Sequence, residues 1–118
     1  MHASSEIRGI IDAMPALVAY VDKSLYTRFL NRAFAEWYGQ PVEELQNRRI
    51  SEVLGTEDFA AVLPYLEQAL AGIPQKYERT IRLSNGKVRH VIASYVPHIN
   101  DAGEVIGVFS LVGDVTEL

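Results

Sequence analysis

The stretch Glu104-Val105-Ile106-Gly107-Val108-Phe109-Ser110-Leu111-Val112-Gly113-Asp114-Val115-Thr116 decides the fold. It is rich in β-branched and aromatic residues and holds no proline, which favours a long strand. Val105, Gly107, Phe109 and Leu111 fall on one side of it. Ile106, Val108, Ser110 and Val112 fall on the other. Both sides are apolar. A strand with one wet face alternates apolar and polar residues, so this strand is central and needs cover on both faces.

Working back from it, Asn100-Asp101-Ala102-Gly103 is a turn and Val88 to Val96 a strand. Ser84-Asn85-Gly86-Lys87 signals a hairpin, because Asn-Gly suits the primed turns. Lys76 to Leu83 alternates, with Tyr77, Arg79, Ile81 and Leu83 against Lys76, Glu78, Thr80 and Arg82. At the front, Leu17 to Val21 and Tyr26 to Leu30 pair across Asp22-Lys23-Ser24. Between the two groups of strands the period turns helical. Asn31 caps a helix with Phe34, Trp37 and Tyr38 on one side, and Gly39 stops it. Pro41 takes the first position of a short helix through Leu45. Thr56 caps a longer one carrying Phe59, Val62, Leu63, Leu66, Ala69 and Leu70, in which Pro64 predicts a kink or a break. Ile7, Ile10, Ile11 and Met14 make residues 1–14 an amphipathic leading helix, ended by Pro15. The expected class is α+β: an antiparallel sheet with helices on one face, as a single domain over residues 15–118. The leading helix covers part of the second face, and a second copy of the chain covers more.

Composition narrows the function. The 118 residues make room for one domain, and 48% apolar with 22% charged residues is ordinary for a globular chain. A net charge of −4 argues against nucleic acid as partner. The absence of cysteine removes disulfides, thiolate zinc sites and cysteine nucleophiles, and fits the cytoplasm. No apolar run is long enough to span a membrane, and the first residues lack the features of a signal peptide. No metal-ligand spacing, serine elbow or phosphate-binding glycine loop is present.

The matching segments resemble a PAS domain of the bacterial type found in histidine kinases and cyclic-dinucleotide signalling proteins. They are Pro15 to Asp22, Phe29 to Phe34, Trp37-Tyr38-Gly39, Glu44-Leu45, Asn85 to Arg89, Gly103 to Gly107 and Asp114-Val115-Thr116-Glu117. The resemblance implies a five-stranded antiparallel sheet in the order 2-1-5-4-3, which places the last strand beside the first. It implies a sensory and dimerisation module, not an enzyme, that signals through its last strand. Its partners would be a second copy and a C-terminal effector such as a histidine kinase or a diguanylate cyclase or phosphodiesterase. The chain would then be a fragment of a longer two-component or related signalling protein.

Cofactors follow from the same comparison. Without cysteine, a cysteinyl flavin adduct and a thioester-bound chromophore are excluded. The stretch from Glu57 to Ala71, which supplies the haem ligand in related domains, holds no histidine. Haem and flavin are therefore not expected, whereas a small-molecule ligand is compatible with the sequence. Tyr20, Trp37, Tyr38, Tyr65, Tyr77, His90 and Tyr95 are the candidate pocket-lining residues, because apolar bodies with polar tips orient a ligand. Core packing explains the same tyrosines without a ligand. The resemblance makes Asp114 and Thr116 the signal-transmission candidates and implies that Asp114 pairs with a basic residue or polar backbone. Two alternatives stand beside this reading: a small isomerase or hydrolase using His90 and Glu78 as acid and base, and a ligand-free structural adaptor.

Overall fold

In a computed structural model of the protein, residues 9, 10, 12 and 15–116 are described. The elements run β1 (Leu17–Asp22), β2 (Tyr26–Leu30), α1 (Arg32–Tyr38), α2 (Val42–Leu45), β3 (Arg48–Arg49), α3 (Ile50–Leu54), α4 (Thr56–Leu70), β4 (Gln75–Arg82), β5 (Val88–Ile99) and β6 (Val105–Asp114). All strand pairs are antiparallel. The sheet order is β3-β2-β1-β6-β5-β4.

The long strand is central, as its two apolar faces require. It pairs with β1 from Leu17↔Val112 to Asp22↔Gly107, and with β5 from Val91↔Asp114 to Ile99↔Val105. Helix α4 packs on β4, β5 and β6, and α1 packs on β1. Beneath them Leu17, Ala19, Val21, Val91, Ala93, Val108 and Val112 are buried. The opposite face carries Val96, Phe109 and Leu111, which remain 45%, 43% and 40% exposed. The apolar stripe of the leading helix falls on residues 1–14, which lie outside the described residues except at Gly9, Ile10 and Asp12.

The expected five strands become six. The added strand, β3, lies along the outer edge of β2 with Tyr26↔Arg49 and Thr27↔Arg48 opposed. Two residues are too short to show alternation. The turn that lays them there is made by Asn47, at φ 65°, whose N–H donates to the Thr27 carbonyl at 2.6 Å.

Three local expectations also change. The β4–β5 hairpin is not closed by a primed turn, because positive φ falls on Gly86 and not on Asn85. The Gly86 N–H bonds to the Leu83 carbonyl at 2.9 Å and the Leu83 N–H to the Lys87 carbonyl at 2.8 Å. This is the three-residue loop with a glycine bulge. Helix α4 continues through Pro64, which faces water, where its missing donor and its ring cost least. Thr56 and Pro41 each shift by one place: Gly55 occupies the cap of α4, and Pro41 is the cap of α2 and not its first residue. Asn31 does cap α1, accepting from the Phe34 N–H, and Gly39 ends that helix at φ 67°.

Candidate functional site

Alternation on β1, β4, β5 and β6 sends one side chain in two under the helices. There it lines a cavity of about 40 Å³ between sheet and helices. Leu17, Ala19 and Val21 come from β1, Val91, Ala93 and Tyr95 from β5, and Ser110 and Val112 from β6. The helices close it with Phe34, Tyr38, Ile50, Leu54, Val62 and Leu66. Tyr77, Arg79 and Ile81 of β4 complete the lining.

The polar groups of this cavity sit together. The Tyr77 hydroxyl donates to that of Tyr95 at 2.7 Å. Their rings meet edge to face with centroids 5.5 Å apart. Tyr65 of α4 stacks on Tyr77 at 3.8 Å, nearly parallel. Burial raises the pKa of Tyr95, reinforced by Tyr77. Burial likewise raises that of Tyr38, with the Asp58 charge adding to it. Both hydroxyls therefore stay protonated and available for hydrogen bonding. Arg79 reaches from β4 to the first turn of α4, where its Nη2 lies 2.8 Å from Asp58 Oδ1. Its side chain is only 12% exposed. Its Nε is buried with no hydrogen-bond partner among the described residues.

Of the seven expected pocket residues, Tyr38, Tyr77 and Tyr95 line the cavity and Tyr65 backs it. Trp37 packs against the core outside the lining. Tyr20 and His90 fall on the other side of the sheet. Each is one residue out of register with the inward set of Ala19, Val21 and Val91, and a slip of one reverses the face. Tyr20 there bonds His98 Nδ1 at 2.7 Å and meets Phe109 edge to face at 5.0 Å. His90 lies 3.0 Å from Glu78, with side chains 48% and 65% exposed. An acid–base pair so wetted lacks the enclosure that would tune it, so the geometry does not favour the enzyme alternative. Arg79 and Asp58 were missed as site residues. The signal was a lone charge on the apolar side of β4, between Tyr77 and Ile81.

The exit of β6 is a second constellation. Asp114 Oδ1 accepts from the Thr116 hydroxyl at 2.5 Å and from its N–H at 2.9 Å. The Thr116 oxygen accepts from the His90 N–H at 2.9 Å. Asp114 Oδ2 lies 3.7 Å from Arg89 Nε, which is the basic partner that the sequence left unnamed. Burial pushes the Asp114 carboxyl up, but the two Thr116 bonds and Arg89 outweigh it and hold it below the usual carboxylate range. Among the described residues no three His, Asp or Glu are grouped to hold a metal ion. Among them, too, no helix is long and apolar enough to cross a membrane.

The family model described as PAS fold matches residues 11–118. A search of curated proteins found no match. Solved structures are similar in fold. The PAS domain of a protein from Colwellia psychrerythraea superposes with a TM-score of 0.77 at 13% identity, over 98% of this chain and 99% of that one. The PAS domain of Bordetella pertussis BvgS gives 0.69 at 21% identity, over 98% and 87%. The VqmA–ligand–DNA complex of Vibrio cholerae gives 0.76 at 18% identity, over 97% of this chain and 52% of that chain.

Proposed function

The chain belongs to the PAS family, and from that premise we propose that it is a sensory and dimerisation module that holds a small molecule between sheet and helices. The family is in general sensory. The observation that carries the ligand reading is the placement of Tyr38, Tyr77, Tyr95 and Arg79 around one apolar cavity whose floor includes β6. A ligand there touches Ser110 and Val112, and β6 runs on to Asp114 and the Thr116 contacts with β5. Occupancy would shift the balance between two packings of β5 and β6, and the shift would pass to an effector attached beyond Thr116. This requires the ligand to bind the two packings with different affinity.

The cavity volume of about 40 Å³ supports a small ligand over haem or flavin. A neighbour in fold, VqmA, is described in complex with a ligand, which supports occupancy of this fold by small molecules. The exposed row formed by Phe109 and Val96 supports a second copy as the cover of the outer face. The acidic balance supports protein, not nucleic acid, as the partner of this domain.

Native mass spectrometry of the purified chain, beside a denatured run, tests the reading. A dimer carrying extra mass that denaturation removes is the expected result. A bare dimer would leave an interaction module without a ligand, and a bare monomer would overturn the proposal.

A further inference from the structure

We infer that the cavity takes a short-chain carboxylate, bound by the Arg79 guanidinium in competition with Asp58. The inference rests on the ligand reading above and adds the chemistry of the ligand.

Among the described residues Arg79 is the one charged side chain in the lining. Two of its nitrogens face Asp58: Nη2 at 2.8 Å from the carboxylate and Nη1 at 3.5 Å from the backbone carbonyl. The third, Nε, is buried and has no acceptor among the described residues. A buried donor left without a partner is costly, and the more so on a charged group. The guanidinium is built to take two carboxylate oxygens at once through a fork of donors. A second donor stands in the same lining. Tyr77 and Tyr95 have two O–H groups and one bond between them, so one proton remains for a ligand oxygen.

The rest of the lining sets the other end of the ligand. Ala19, Val21, Leu66, Ala93 and Val112 offer only apolar contact. The cavity, at about 40 Å³, is smaller than the roughly 150 Å³ that admits a benzene ring. A short aliphatic acid satisfies both ends.

Charge decides how it binds. Arg79 and Asp58 are neutral together, so an entering carboxylate would add an uncompensated negative charge at a site of low dielectric. The Asp58 side chain is 31% exposed and can turn to water, which Arg79 cannot. The ligand therefore displaces Asp58 and frees the first turn of α4 from β4.

The test is nuclear magnetic resonance titration of the chain with acetate and propionate, each beside its neutral amide. The expected result is that the acids shift the amides of Ala93, Ser110 and Val112 and bind about tenfold more tightly than the amides. Asp58→Asn removes the competing carboxylate and should tighten acid binding by about tenfold, while Arg79→Lys, which keeps the charge and loses the fork, should weaken it by a similar factor. A purely structural ion pair would instead give a less stable Asp58→Asn variant with unchanged affinity, and that overturns the inference. Equal binding of acid and amide overturns it too, while leaving the ligand reading intact. If neither probe moves the cavity residues the carboxylate is ruled out, and mass spectrometry judges the ligand reading separately.

Discussion

Asn31 and Val18 bind each other twice. The Asn31 N–H donates to the Val18 carbonyl at 2.9 Å, and the Val18 N–H donates to the Asn31 side-chain oxygen at 3.1 Å. The same oxygen caps α1 at Phe34, and the side-chain nitrogen donates to the Ala16 carbonyl at 2.8 Å. One fully buried amide thus ties β1 to the start of α1. Asn31→Ala loses a helix cap and strands two part-buried backbone groups, so it should cost about 1–3 kcal/mol. Urea denaturation checks this. A loss below about 1 kcal/mol would mean that water replaces the amide.

Gly107 lies under the ring of Tyr20. A Cβ there would collide with the Tyr20 phenol and stand 2.8 Å from the Val21 carbonyl. Side-chain motion relieves the first contact only. Gly107→Ala should destabilise the domain by about 1–3 kcal/mol. Adding Tyr20→Ala should restore part of that loss, as a double-mutant cycle would read. Full restoration would show that the backbone contact is harmless.

The cavity tyrosines predict a weakness in alkali. Burial raises the folded-state pKa of Tyr95, Tyr38 and Tyr77 above the ordinary tyrosine value. Stability from this source is fully present below pH about 10 and is lost as pH rises beyond it toward the folded pKa. Tyr95→Phe should flatten the alkaline limb of a thermal melting profile, at a cost of about 1 kcal/mol at neutral pH. Ionisation of more than three of the six tyrosines in the ultraviolet spectrum before unfolding would contradict the prediction.

Asp114 predicts the opposite limb. Its carboxyl is held low in the folded state, where the Thr116 bonds and Arg89 outweigh the effect of burial. Its contribution is present above the unfolded carboxylate pKa of about 3.9 and is lost as pH falls through the folded value. Thr116→Val removes the hydroxyl bond and should make stability below pH about 4 less steep in pH. Hydrogen exchange at the His90 amide, which loses its side-chain acceptor, should quicken in the same variant.

The proposed dimer face predicts the effect of charge at Val96 and Leu111. They are 45% and 40% exposed on the face away from the helices, so a charge there costs the monomer little. The double variant Val96→Glu, Leu111→Glu should sediment as a monomer at concentrations where the proposal expects the parent to be dimeric. Its melting temperature at low concentration should fall by no more than about 4 °C. A variant that still dimerises would place the contact elsewhere, and a monomeric parent would overturn the dimer proposal.

The five longer strands and the two ends of α1 were legible because each rests on neighbours in sequence. Two-sided apolarity in Val105–Val112 marked the centre of the sheet, and Asn31 and Gly39 marked the ends of α1. Arg48–Arg49 gave no strand signal, since a two-residue edge carries no pattern of its own. The faces of β4 and β6 were read correctly as alternating sets. Which set looks toward the helices was a separate matter, and His90 and Tyr20 went to the outer side.

The sequence by itself pointed to the family through its resemblance, and to the five longer strands and the residues that alternate through local periodicity, which acts over a few positions. The tertiary structure alone decided which face encloses the cavity and what Arg79 meets there. Asp58 and Arg79 are separated by 20 intervening residues and paired across 2.8 Å. That meeting depends on how α4 is laid over β4, which no short-range pattern encodes.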